Sequence, residues 1–172
     1  MGQGLGTILG LVAAFAIVFL VMTFGPFMPE DLIPQAIVND FVGFTDLELK
    51  LAVVATILYP SAFGLSSVGA LVGYGADGAT VLMFLAWGTG GLLAGLASKD
   101  FLPGILAAVF ATIIGAFLTW LLFFAISPGY EITGILDPGS LFLMEAALQG
   151  AIYPAIAATI GGLLGGGITR DR

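Results

Sequence analysis

The sequence predicts an all-α, polytopic integral membrane protein with five transmembrane helices. Three observations carry that prediction. The 172 residues are 59% hydrophobic and 9% charged, with a mean hydropathy of +1.14, whereas a soluble domain carries about 25% charged residues. Five apolar runs, Leu5–Phe24, Leu47–Tyr74, Ala79–Ala97, Phe101–Ile126 and Ser140–Gly167, come close to or exceed the ~20 residues that a helix needs to cross hydrocarbon. Turn and cap signals separate them, among them Gly25-Pro26, Asp77-Gly78, Ser98-Lys99-Asp100 and Ser127-Pro128-Gly129. With their flanks, the helices are expected over about 5–24, 46–74, 79–97, 101–126 and 138–167, as one domain filling residues 1–172.

The first segment lacks a positive leader and a small-residue cleavage site, so it is expected to stay as a helix. Gly6 stands where a myristoylation signal wants Ser or Thr. Gly2, Gly6 and Gly10 lie four apart and give a smooth face for close helix approach. After Gly25-Pro26, Ile33, Ile37, Phe41 and Phe44 fall near one helical face, with Gln35, Asn39 and Asp40 on the other side. A short helix at the membrane interface fits this pattern, as does a helix docked on a partner protein.

The second helix opens at Thr45-Asp46-Leu47-Glu48. Thr45 and Glu48 read as a capping box, and Phe44 with Leu49 as a hydrophobic staple. Tyr59-Pro60 interrupts this helix at its middle, and Gly69 and Gly73 form a small-residue exit. The third helix ends in Gly91-Leu92-Leu93-Ala94-Gly95, a further GxxxG face. Asp100 is positioned to cap the fourth helix, whose first turn tolerates Pro103. That helix carries Gly104, Ala108, Thr112 and Ala116 on one small face, and Trp120 where an aromatic belt is expected. The fifth admits Pro138 in its first turn, breaks near Tyr153-Pro154, and ends with Gly162 and Gly166.

Charge suggests sidedness. With five crossings and the N-terminus outside, Lys50, Lys99, Arg170 and Arg172 all fall on the cytoplasmic side, as the positive-inside rule asks. The expected location is therefore the cell membrane, with the N-terminus outside and the C-terminus cytoplasmic.

Two internal echoes stand out. Gly91–Gly95 with Lys99-Asp100 resembles Gly162–Gly166 with Arg170-Asp171, and Leu5, Ile8, Leu9, Val12, Ala14 and Ile17 resemble Leu102, Ile105, Leu106, Val109, Ala111 and Ile114. The Tyr59-Pro60 and Tyr153-Pro154 pairs sit at similar offsets. Helices 1–2 and 4–5 then read as a 2+1+2 inverted repeat, an arrangement used by many secondary transporters. A chain written mostly in small and aliphatic residues also yields such matches by chance.

The chain has no Cys and no His, which removes disulfides, thiolate and imidazole metal sites and the commonest general base. No metal and no cofactor are expected. Four basic residues against eleven acidic ones argue against nucleic acid, and the net charge of −7 reads as solvation of the loops. Lys50 and Lys99 stand at helix ends, so a Ser–Lys catalytic pair has no place to form, and an enzyme is not expected; a place as a non-catalytic subunit of a membrane enzyme complex stays open.

Glu145 is the exception among the charges, about two turns inside the fifth helix, roughly 10 Å along its axis. Gln149 and Tyr153 continue its face at i+4 and i+8. Thr56, Tyr59 and Ser66 on the second helix and Thr89 on the third are candidates to complete a polar intramembrane site, or to bond back to their own helices. Two functions follow as expectations. One is a structural or accessory subunit of a multi-subunit membrane complex, packing on other subunits or on itself through small-residue faces. The other is a small transporter or channel for an ion or small polar solute, with a polar stripe on the fifth helix.

Overall fold

A computed structural model describes residues 2–27, 35–59, 80–126 and 138–170. Among them are seven α-helices and no strand: α1 (Gly2–Thr23), α2 (Gln35–Gly43), α3 (Leu47–Leu58), α4 (Thr80–Ser98), α5 (Phe101–Ile126), α6 (Pro138–Gly150) and α7 (Ile152–Thr169). Four stretches are long and apolar enough to cross a membrane: Gly2–Thr23, Val81–Ser98, Phe101–Leu122 and Ala147–Thr169. The fold is that of a helical membrane protein. The expected second span is described only as α3, and Pro60, Gly69, Gly73 and Ser66 lie outside the described residues.

Small residues set the packing. A Cβ on Gly6 would stand 2.6 Å from the Ala94 carbonyl oxygen, and one on Gly10 would stand 2.9 Å from that of Gly90. Gly2 meets Ala97 and Ser98, so α1 and α4 run antiparallel. Gly91 abuts the Ala158 carbonyl, Gly95 that of Gly162, and Gly165 that of Leu92, so α4 and α7 run parallel. Gly104 faces Gly162, and Gly166 faces Asp100 and Phe101, which makes α5 antiparallel to α7. Backbones this close exchange dispersion contacts that side chains would otherwise hold apart.

The core is accordingly built of small residues: Ala14, Ala94, Ala107, Ala108, Ala116, Ala157 and Ala158 are buried. Large apolar side chains such as Leu5, Ile8, Leu102, Phe110 and Leu164 face outward. Gly2, Ser98, Asp100 and Gly166 meet at one end of the bundle. Five alternating crossings would instead have put the N-terminal and C-terminal helices' free ends at opposite faces.

Local signals were realised unevenly. Asp100 caps α5, accepting the Phe101 N–H at 2.7 Å. The capping box at Thr45 and Glu48 does not form: α3 starts one residue later, with Asp46 as its N-cap in an extended conformation and no side-chain cap bond. That shift moves Phe44 out of the staple position, though it packs against the core. Trp120, toward the end of α5, is packed into the bundle and 9% exposed. The apolar face of α2 is taken up by the chain itself. Ile37, Val38 and Phe41 are buried, and Phe41 meets Phe19 edge-on at 5.4 Å between ring centres.

Candidate functional site

The five polar candidates divide between two settings. Tyr59 and Thr56 are buried at the inner end of α3. The Tyr59 hydroxyl donates to the Thr112 carbonyl at 3.1 Å, and its ring lies 5.7 Å from that of Trp87. Trp87 Nε1 in turn donates to the Leu58 carbonyl at 3.1 Å, satisfying one of the acceptors that a helix end leaves open. Thr56 bonds back to the Val53 carbonyl at 2.7 Å. These groups lock the end of α3 between α4 and α5, and their hydroxyl protons are already engaged.

Depth follows from the partners. Thr112 lies near the middle of α5 (Phe101–Ile126), while α3 begins beside α2 at the opposite end from Gly2. Twelve residues of α3 rise about 18 Å, close to half of a bilayer with its interfaces. The helix enters from one end and stops at mid-depth.

Glu145 and Gln149 belong to α6 and behave differently. Glu145 is exposed and Gln149 half-buried, and Gln149 Nε2 donates to Glu145 Oε1 at 3.1 Å. The expected stripe thus forms a side-chain pair one turn long, facing outward. Tyr153 is half-buried and packed against the core. The interruption expected at Pro154 falls just before it. α6 ends at Gly150, the Ala151 N–H closes a tight turn on the Leu148 carbonyl at 3.1 Å, and α7 restarts at Ile152. Pro154 cannot donate to the carbonyl four residues earlier, that of Gly150, so it sits in the first turn of the new helix, where no donor is missed.

The helix-packing glycines Gly6, Gly10, Gly91, Gly95, Gly162 and Gly166 all meet other helices of the same chain. The hydroxyls of Thr7, Thr112, Thr119 and Thr169 bond back to their own helices, which leaves little unclaimed polarity inside. Thr89 lies apart from the other candidates, in a cleft of about 270 Å³ between α4 and α7. A larger hollow of about 740 Å³ lies between α1, α3 and α5, with apolar walls mostly of leucine and phenylalanine, joined by Val12, Ala16 and Thr119. Sequence reading missed it because α1 and α5 are apolar nearly all round, so no stripe marks a concave face. Among the described residues no group of three His, Cys, Asp or Glu side chains is placed to hold a metal ion. Comparison with protein families, with characterised proteins and with solved structures gives no match for this chain.

Proposed function

We propose that this chain is a structural or accessory subunit of a larger membrane assembly, and that it docks through the outward face of α6. The observation that carries the reading is the Glu145–Gln149 pair. A carboxylate and an amide that bond to each other, with no further hydrogen-bond partner among the described residues, stand at the entry of the span Ala147–Thr169. Polar groups at membrane depth are costly unless paired or hydrated. Polar groups of a neighbouring subunit would supply the missing partners, with Leu141 and Ile152, both exposed, as the apolar surround. The small-residue faces at Gly6, Gly10, Gly91, Gly95, Gly162 and Gly166 are spent inside the chain, so recognition is assigned to α6 and not to them.

The absence of Cys makes the test clean. A photocrosslinker attached at Gln149→Cys should capture a different polypeptide in native membranes, and one at Ile113→Cys, on the outer face of α5, should not. Capture of only lipid or only this chain at Gln149 contradicts the docking.

The transporter reading retains one supporting observation, the interruption at Ala151 beside Tyr153 and Pro154, since broken helices line many transport sites. The engaged hydroxyls of Tyr59 and Thr56 weigh against their share in it. Under that reading Glu145→Gln abolishes solute flux; under ours it leaves assembly nearly intact.

We infer a different sidedness from the packing. Lys99 and Arg170 belong to the end where Gly2 and Gly166 meet, while Lys50, Asp46 and Glu48 belong to the other. We assign the Lys99–Arg170 end to the cytoplasm by the positive-inside rule. The free ends of α1 and α7 then share that side. Any duplication relates α1 to α5 and α4 to α7, pairs that run in the same direction, which fits a parallel repeat better than an inverted one.

A further inference from the structure

We propose that the hollow between α1, α3 and α5 is a phospholipid site, with an acyl chain along its floor and the headgroup phosphate on Lys50. Its walls include Leu11, Phe15 and Phe19 of α1, Leu51 of α3, and Leu118 and Leu122 of α5. The volume of about 740 Å³ is within the range of sites that enclose small molecules, ~300–1,000 Å³. Along α1 it runs from Leu11 to Leu20, a rise of about 14 Å. That matches one leaflet, half of a hydrocarbon core ~30 Å thick.

The direction of the hollow fits a lipid as well. Its inner end, at Leu11, lies beside Gly115 near the middle of α5. Its outer end, at Leu20 and Leu122, lies toward the first turn of α3, where Leu47 and Leu51 complete the wall. Lys50 stands in that turn. Its ammonium lies 5.3 Å from the centre of the Phe41 ring, and Phe41 packs on the wall residue Phe19. An ammonium offers three donors, and Lys50 is in no ion pair among the described residues. Lys50 is not itself part of the wall, but it follows Leu47 by three residues and precedes Leu51 by one, both of which are. Tail length, leaflet depth and a cation beside the outer end thus agree on one occupant.

The surroundings select the headgroup. Asp46 and Glu48 are exposed in the same turn, and the Lys50 amide bonds to the Asp46 carbonyl at 3.2 Å. A lone cation among carboxylates repels a net negative headgroup and complements a zwitterion, taking its phosphate while the acids take its amine. Phosphatidylethanolamine has that chemistry.

The test uses the full-length chain in micelles doped with equal phosphatidylethanolamine and phosphatidylglycerol of matched acyl chains, read by native mass spectrometry. One phosphatidylethanolamine should stay bound per chain. Lys50→Gln should lower its retention about fivefold, the factor that ~1 kcal/mol per surface cation implies, and Lys50→Arg should restore most of it. Leu118→Trp, which fills the hollow and leaves Lys50 in place, should abolish retention. Monodispersity and helical circular dichroism identify any variant that has misfolded, and Phe15→Trp then replaces Leu118→Trp. Retention of phosphatidylglycerol in preference, indifference to Lys50→Gln, lipid binding that survives a folded hollow-filling variant, or a second protein chain in the hollow would each overturn the proposal.

Discussion

Replacing Gly91 with alanine tests the packing on which the fold rests. The added Cβ would stand 2.8 Å from both the carbonyl carbon and the Cα of Ala158, with the carbonyl oxygen nearer still. Carbon atoms sit comfortably at about 3.5 Å, so α4 and α7 must part by at least about 0.7 Å, and further to clear the oxygen. No rotamer relieves this, because the obstacle is backbone. A gap of 0.5–1 Å forfeits roughly a quarter to a half of each contact along the seam, and that seam includes the meetings of Gly88 with Gly161 and Leu92 with Gly165. Overpacking of this kind costs about 1–3 kcal/mol, offset by up to ~1 kcal/mol from the better helix propensity of alanine. Gly4→Ala is the control, since a Cβ there meets nothing within 4 Å and should gain as much as ~1 kcal/mol. The two variants should therefore differ by about 2 kcal/mol, with Gly91→Ala the weaker. Trp87 and Trp120 are both buried, so their fluorescence reports unfolding as denaturing detergent is titrated into mild micelles. A Gly91→Ala protein as stable as Gly4→Ala would refute the backbone-contact account.

The same titration serves two further variants. Trp87→Phe removes the donor to the Leu58 carbonyl and should cost about 1–3 kcal/mol by leaving a buried acceptor unsatisfied; a neutral effect would detach Trp87 from the α3 lock. Asp100→Ala should cost about 0.5–2 kcal/mol through loss of the α5 cap, and Asp100→Asn should recover most of it. Sidedness has its own readout. In intact cells, a membrane-impermeant thiol reagent should label Glu48→Cys and spare Gln3→Cys, and the reverse pattern would invert the assignment.

Helix positions were legible from the sequence because apolar length and turn residues act locally. Asp100 followed by an apolar run, and Ser98-Lys99 before it, suffice to stop one helix and start the next. Lys99 adopts φ 60° there, the left-handed conformation that commonly closes a helix end. Helix direction was not legible. An even count of crossings or a half-crossing places α4 antiparallel to α1, and only the contacts of Gly2, Gly6 and Gly10 decide between that and an alternating five-span order. The capping box failed for a smaller reason. Asp46 and Thr45 are both competent N-caps, and the helix began at the later one.

The candidate site was half legible. The i, i+4 spacing put Glu145 and Gln149 on one face, but it did not tell that they would bond to each other. Nothing in the spacing told that Tyr59 would be sealed by Thr112, 53 positions away, and by the Trp87 ring of α4. Glycine spacing likewise marked close approach without naming the partner. Among the described residues the predicted GxxxG faces turned inward, which is why the proposed subunit contact is sought on α6.

The most direct measurement is the mass of the intact assembly after purification from native membranes in mild detergent. The account predicts stoichiometric co-purification with at least one different membrane subunit, and partial loss of that subunit when Glu145 and Gln149 are both replaced by leucine. A lone monomer or a homo-oligomer, unchanged by the double replacement, would contradict it.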